Sequence, residues 1–426
     1  VEITNLPVKG TADWHPEEFA LRKYIFDTWR KVCVQFGYQE YLTPLVELAD
    51  VYRAKSGEDA GGAELTVFED RGGRELAIRP EMTPSVTRMV SRTYNSTPKP
   101  IRLFSIANFY RNENPQKGRN REFWQLNADI FGSDSLQADV EILQMAIEIM
   151  LAFGANPQQF KLKLNDRQLI EDFVTKFLGV PAENIQAATR VLDKFGKISE
   201  AELQERLEDL GARTVDMNML MGFLGNEQPA TDNLVREFLQ DSAGMARLQQ
   251  IFSVLDGLGY AGLYQFTPGL MRGFDYYDGM IFEVFDQNPD NRKALFGGGR
   301  YNGLAAIFGG QSFPAVGFAP GDETTKVFLE TWGLVPAALQ LLPKVYVPIL
   351  AAELLVNLNV VTKQLRSEGQ VVVQGLEQES LGSAFKNAEK LGCNQLLILG
   401  EKELTNGMYA IKNLQTGEQV EYPLPA

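Results

Sequence analysis

The residues best equipped for chemistry run from Arg111 to Asp129: Arg111-Asn112-Glu113-Asn114-Pro115-Gln116-Lys117-Gly118-Arg119-Asn120-Arg121-Glu122-Phe123-Trp124-Gln125-Leu126-Asn127-Ala128-Asp129. Side chains of a strand alternate between its two faces. A strand over Glu122–Phe131 therefore puts Trp124, Leu126, Ala128 and Ile130 on an apolar face, and Gln125, Asn127 and Asp129 on the other, beside Phe123. A polar row inside an otherwise apolar region must meet water or a ligand. Arg111 closes the preceding strand, and a loop carrying Lys117, Arg119 and Arg121 joins the two. The pattern offers a floor of hydrogen-bonding groups under a positive flap. That suits a small polar molecule next to a phosphate chain, because arginine pairs well with phosphate oxygens. A solvent-facing hairpin with a charged turn would produce the same pattern.

Two other segments could add to such a site. Arg272-Gly273-Phe274-Asp275-Tyr276-Tyr277-Asp278-Gly279 sets an arginine and two tyrosines before a strand-like run, where they could line a pocket; taken alone, the segment reads more readily as core aromatics beside a surface arginine. In Gly297-Gly298-Gly299-Arg300-Tyr301 the glycines would let backbone approach a ligand closely, or form a flexible connection. The only histidine is His15, which removes Ser-His-Asp and Cys-His catalysis and His-rich zinc sites. Neither a P-loop nor a dinucleotide fingerprint occurs. An enzyme built this way must rely on arginines, carboxylates, backbone dipoles and the substrate's own groups. A net charge of −14 argues against bulk coating of nucleic acid but leaves room for a local basic grip. Cys33 and Cys393 read as buried free thiols in a reducing cytoplasm. No apolar run approaches the roughly 20 residues of a bilayer span, and Val1 to Gly10 lacks a signal pattern.

The elements that must position these groups follow from periodicity. Pro16 to Phe36 reads as a helix with Ile25, Trp29, Val32 and Phe36 on one stripe. Tyr41 to Val46 reads as extended and at an edge or an interface, given Pro44. Arg79 to Pro84 leads into a helix ending near Arg92. Strands are expected at Ile101 to Tyr110, Glu122 to Phe131, Lys161 to Leu164, Phe274 to Phe285 and Ala315 to Phe318, with helices at Asp139 to Leu151 and from Thr324. Residues 180–258 read as a charged helical insertion and 333–343 as a linker. From Lys344 onward strands and helices alternate, which implies a small α/β domain.

Taken in order, these segments resemble the histidyl-tRNA synthetase family of class II aminoacyl-tRNA synthetases. The resemblance starts at Gly10-Thr11-Ala12-Asp13, includes Arg79-Pro80-Glu81, peaks at Asn114 to Arg119, and continues through Arg272 to Tyr277 and Gly297 to Tyr301. Ile398, Gly400, Glu401, Leu404, Asn406 and Gly407 resemble the family's anticodon-binding domain. The implied fold class is α+β: a class II antiparallel sheet with flanking helices over 1–332, the helical insertion within it, and an α/β anticodon-binding domain over 344–426. The implied activity is activation of L-histidine with ATP, aided by Mg²⁺, and transfer to tRNA(His). A cytoplasmic homodimer is implied too, with the Pro16 helix and the stretch around Pro44 resembling the dimer-forming motif 1.

The resemblance also implies roles. Arg111 would contact the ATP α-phosphate and the amino-acid carboxylate, with Arg272 at the same reacting groups. Glu113 and Phe123 would read and stack the adenine, and Arg121 would lie near the phosphates. Glu81, Gln125, Asp129, Tyr276, Tyr277 and Tyr301 would surround the histidine, with Thr83 near its amino group. Four positions depart from the family pattern. Motif 3 normally ends Gly-x-Glu-Arg, but Gly321-Asp322-Glu323-Thr324 ends in threonine; a lost charged hydrogen bond to phosphate costs about 1.5–3 kcal/mol. Asp129 replaces an expected glutamate, Asn112 a histidine and Ala12 an arginine. Thr324 opens an alternative, a catalytically silent histidine-binding relative like the regulatory subunit of ATP phosphoribosyltransferase.

Overall fold

Ile101–Tyr110 and Glu122–Phe131 pair antiparallel without a register break, from Ile101 opposite Phe131 to Tyr110 opposite Glu122. They belong to an eight-stranded sheet in the order Gln39–Glu40, Ile101–Tyr110, Glu122–Phe131, Ala315–Pro320, Ala294–Arg300, Met280–Asp286, Phe160–Asp166, Tyr264–Phe266. The six inner strands are antiparallel neighbours, and the short outer strands join in parallel. The computed structural model describes residues 4–54, 62–213, 217–225, 233–271, 276–291, 293–309, 311–336 and 344–425. The chain forms two units, Val1–Val335 and Pro336–Ala426.

One face of the large sheet is closed by helices. Pro16–Gln35 starts with proline at its first turn beside Glu17 and Glu18, which suit the positive end of the helix dipole. It buries Ile25, Trp29, Val32 and Cys33, and its Phe26 ring lies 5.3 Å from that of Trp124. Leu136–Ala152, capped by the Ser135 side chain, is buried nearly all round because it lies under Pro16–Gln35 and Ala243–Gly257 and against the sheet. Each buried Ile or Leu in this layer stabilises the fold by about 1.5–3 kcal/mol. Arg300 ties the sheet to that helix through a buried ion pair with Asp139 at 2.6 Å. With apolar side chains committed to the helical layer, the polar row of Glu122–Phe131 faces the other way.

Within 180–258 the described residues form helices Ile185–Leu192, Glu200–Asp209, Met217–Gly225, Asn233–Asp241 and Ala243–Gly257. The last of these packs on Leu136–Ala152 and Phe160–Asp166. In the second unit the sheet order is Val371–Gln378, Lys344–Ile349, Gln395–Ile398, Met408–Asn413, Gln419–Pro423. Val345, Val347 and Ile349 pack with helix Leu355–Ser367, whereas Tyr346 packs with Leu381–Lys390, so the period-2 alternation of one strand feeds two cores. No helix among the described residues is long and apolar enough to cross a membrane.

Several expectations need correction. Tyr41 to Leu45 lies outside any strand; only Gln39–Glu40 and Val46–Leu48 pair, interrupted by the segment holding Pro44. Val67–Glu69 and Glu75–Ile78 form a small sheet with Val46–Leu48, and Tyr264–Phe266 and helix Glu401–Thr405 were not expected either. The strand expected from Phe274 begins at Met280, and residues 272–275 and 337–343 lie outside the described residues. Gly297 to Gly299 is a strand rather than a loop. A Cβ on Gly298 would stand 2.3 Å from the Gly317 carbonyl oxygen and 2.5 Å from Phe318 Cβ, and one on Gly317 would stand 2.0 Å from Asp129 Oδ1. These glycines let three strands pass close to one another beneath Asp129.

Forced overpacking costs about 1–3 kcal/mol, so Gly298→Ala should lower unfolding free energy by about 3 kcal/mol or block folding. Gly222→Ala, in open space on Met217–Gly225, should raise it by roughly 0.5–1 kcal/mol. Denaturant titration checks both; a Gly298→Ala protein as stable as the parent would contradict the packing described.

Candidate active site

The polar row of Glu122–Phe131 borders a cavity of about 1910 Å³. Asp129 follows Phe123 by six positions, so at roughly 3.4 Å per residue the floor runs about 20 Å. Asp129 is 2% exposed. Its Oδ1 accepts a hydrogen bond from Tyr301 Oη at 2.5 Å, while Oδ2 and the neighbouring Asn127 Oδ1 have no partner among the described residues. Burial pushes Asp129 up to about 7, against the opposing pull of the Tyr301 hydrogen bond. Burial, and then the Asp129 charge, also push the hydroxyl of Tyr41 well up. A buried carboxylate oxygen with no donor is costly, and a ligand N–H would relieve it.

Glu81 reaches the same cavity from the turn before helix Thr83–Thr93. Arg79 fixes that turn by donating to the carbonyls of Thr43 and Asn108 and to Asn108 Oδ1. Tyr276 Oη donates to Glu81 Oε2 at 2.9 Å. The rings of Tyr276, Tyr277 and Tyr301 form an edge-on cluster with centroids 5.0, 5.7 and 6.4 Å apart. Arg111 donates through Nε to the Pro80 carbonyl at 3.0 Å, and its guanidinium carbon lies 5.1 Å from the centre of the Phe123 ring.

Ten of the twelve site residues expected from sequence line this one cavity: Glu81, Thr83, Arg111, Glu113, Phe123, Gln125, Asp129, Tyr276, Tyr277 and Tyr301. Arg121 is not among its lining residues. Its side chain packs along Gly10 and Pro115, and its Nε donates to the Glu113 carbonyl at 3.0 Å. Arg272 lies outside the described residues. Asn127 belongs to the site although sequence reasoning placed it only in the polar row. Arg190, Lys194 and Lys197 also line the cavity, and their i, i+4, i+7 spacing is a helical stripe that sequence could have disclosed.

The motif 3 departure has a visible setting. Thr324 lines the cavity, and its hydroxyl lies 2.8 Å from the Leu295 carbonyl and 3.1 Å from that of Gly321. Behind it, Arg22 pairs with Asp322 at 2.6 Å and Glu323 at 2.5 Å and rests on the Trp14 ring. Burial pushes Asp322 up to about 7 although Arg22 pulls it down. Asn112 donates its backbone N–H to the Glu64 carbonyl at 2.8 Å. Nothing in the structure explains Ala12. Among the described residues no group of three or more His, Cys, Asp or Glu side chains could cage a metal ion.

Comparison with known proteins bears on this geometry. The family model described as histidyl-tRNA synthetase matches residues 10–322, and that described as anticodon binding domain matches 344–425. The histidine–tRNA ligase of Leptospira biflexa is 35% identical over 425 residues, covering 99% of this chain and 96% of the relative. That of Opitutus terrae is 37% identical, covering 97% and 95%. The crystal structure of histidyl-tRNA synthetase from Nostoc sp. PCC 7120 superposes with a TM-score of 0.80 at 24% identity, covering 99% and 97% of the two chains, and so shares the fold.

The buried carboxyl gives a ligand-free test. An unfolded aspartate titrates near 3.9, whereas Asp129 in the fold holds its proton up to about 7. The unfolded chain therefore releases this proton first, and the carboxyl lowers stability increasingly as pH rises between those values. Asp129→Asn should gain on the parent by up to roughly 4 kcal/mol between about pH 4 and pH 7, then level off. Unfolding measured across that range checks this; a difference independent of pH would contradict it.

Proposed function

The chain belongs to the histidyl-tRNA synthetase family, and from that premise we propose how its own residues carry the reaction. It is a class II histidine–tRNA ligase, activating L-histidine with ATP and charging tRNA with the product. The regulatory-paralogue alternative is less supported, because the relatives match at full length and the anticodon-binding domain is included. The partner proposed is tRNA(His).

The observation that carries the site assignment is Asp129 Oδ2, which has no partner among the described residues, in the cavity it shares with Arg111 and Phe123. In this reading an imidazole N–H of histidine donates to Asp129, the three tyrosines wall the ring, and Glu81, Thr83 and Gln125 receive the amino group. Adenine stacks on Phe123 and is read by Glu113. The nucleophile is the histidine carboxylate, already ionised at neutral pH, so no protein base is required. It attacks the α-phosphorus, and the bond to pyrophosphate breaks. The difficulty is bringing two anions together, which Arg111 and Arg272 offset by charge and orientation. Arg121 stabilises the loop by donating to the Glu113 carbonyl, and since it does not line the cavity its place near the phosphates rests on the resemblance. The assignment of Arg272 rests on the resemblance.

Mg²⁺ fits the donor set. It binds through one or two carboxylates plus phosphate oxygens and water rather than a full protein cage, and Glu323 lines the cavity with Oε1 held by Arg22 and Asn120. When bound with ATP it would neutralise phosphate charge. The exposed apolar side chains Val46, Leu48 and Phe68, which the register sets on one face of the small sheet, support a homodimer formed with a second copy over this face. A cytoplasmic location accords with two cysteines unpaired in the fold.

Histidine-dependent exchange of pyrophosphate into ATP tests the reading. The parent protein should exchange, and well-folded protein without exchange at saturating histidine and ATP would reject it. Arg272→Ala should lower exchange by at least about a hundredfold, as loss of a charge-stabilising group does, with histidine affinity largely kept. An equal loss of rate and affinity would show that Arg272 binds histidine rather than stabilising the transition state.

A further inference from the structure

The cations around the cavity differ in what already holds them. Arg22 touches the motif 3 segment, but it is buried, is not among the lining residues, and is held by Asp322 and Glu323. Arg119 leans on the Glu113 carboxylate at 3.5 Å. Lys293 lines the cavity, is exposed, and donates through Nζ to the Gln116 side-chain carbonyl at 2.6 Å. That partner is uncharged, and among the described residues Lys293 makes no ion pair.

Its place is fixed by three segments that meet there. Lys293 directly precedes strand Ala294–Arg300, and the Leu295 carbonyl in that strand accepts from Thr324. Asn120 Nδ2 donates to Glu323 Oε1 at 2.9 Å, so the loop touches the motif 3 segment four residues beyond Gln116. Gln116 and Arg119 bond each other through their backbones, which makes this part of the loop a tight turn. Thr324 itself is a poor phosphate ligand: its single hydroxyl proton is already directed at backbone carbonyls. An ammonium held by a neutral amide can exchange that acceptor for a phosphate oxygen, since the pair then gains the attraction between two opposite formal charges.

We propose that Lys293 binds the β- and γ-phosphates of ATP, the leaving pyrophosphate, and supplies there the positive charge that Thr324 lacks. The proposal rests on the ATP-dependent activation read above. It makes Lys293 a binding residue for the leaving group, with Gln116 holding its ammonium in place before ATP arrives.

Lys293→Ala should raise the KM for ATP in histidine-dependent pyrophosphate exchange by about tenfold to a hundredfold, the effect of losing one charged hydrogen bond. The KM for histidine should change less than about twofold. Lys293→Arg should recover most of the loss, and Thr324→Arg in the Lys293→Ala background should recover part of it. Calorimetry separates this proposal from the activity itself: Lys293→Ala should weaken ATP and inorganic pyrophosphate binding but leave AMP binding within about twofold, as expected for a residue touching only the terminal phosphates. That pattern in a protein with no exchange would uphold Lys293 while rejecting the ligase reading. Unchanged ATP affinity, or equal weakening of ATP and AMP, would overturn the proposal.

Discussion

Asp129 keeps a carboxyl where water scarcely reaches, with one oxygen on Tyr301 and the other without a donor among the described residues. That arrangement is possible because a single strand divides two environments. Trp124, Leu126, Ala128 and Ile130 are committed to the helical layer, while of the alternate side chains Phe131 enters a second core with Tyr301 and Phe313 and the polar ones border the cavity. In the proposed reading histidine binding offsets the cost of burying Asp129, because a donated N–H restores what desolvation removes. Specificity would then follow from the same atom: a ligand without a donor at that point would leave the carboxyl unsatisfied.

The rest of the site depends on how closely the neighbouring strands approach. Gly298 and Gly317 bring Ala294–Arg300 and Ala315–Pro320 against Glu122–Phe131 at distances that any side chain would spoil. The same closeness carries Tyr301 to Asp129 and sets Thr324 beside Leu295. Arg300 holds this region from the other face through Asp139. The floor of the site is thus mounted on sheet, with Glu81, Arg111 and Glu113 supplied by the connections at its edge, which suits a reaction limited by orientation and charge. His15, the only imidazole in the chain, caps the first helix and is not among the cavity's lining residues.

Much of this is legible in sequence, and the exceptions have physical causes. The two long strands show because ten residues of alternation are hard to mistake, and helix Pro16–Gln35 shows because proline, an apolar stripe and Gly37 mark its length. The glycine strand does not show, since three residues without side chains carry no periodicity. Val67–Glu69 and Glu75–Ile78 are short and largely exposed, so hydrophobic patterning is weak there. Contacts such as Lys293 with Gln116 or Arg22 with Asp322 join segments far apart in the chain, and only the fold brings them together. Gln125, Asn127 and Asp129 were readable as a polar row, but the missing donor at Asp129 required the surrounding tyrosines to be placed.

The central claim is that one strand face, with Arg111 over it, brings a carboxylate against a nucleotide phosphate. A crystal structure with a non-hydrolysable histidyl-adenylate analogue tests it most directly. The account predicts an imidazole N–H on Asp129 Oδ2, the adenine against Phe123, and the acyl-phosphate mimic within hydrogen-bond reach of Arg111. An imidazole seated away from Asp129, or a mimic bound out of reach of Arg111, would contradict it.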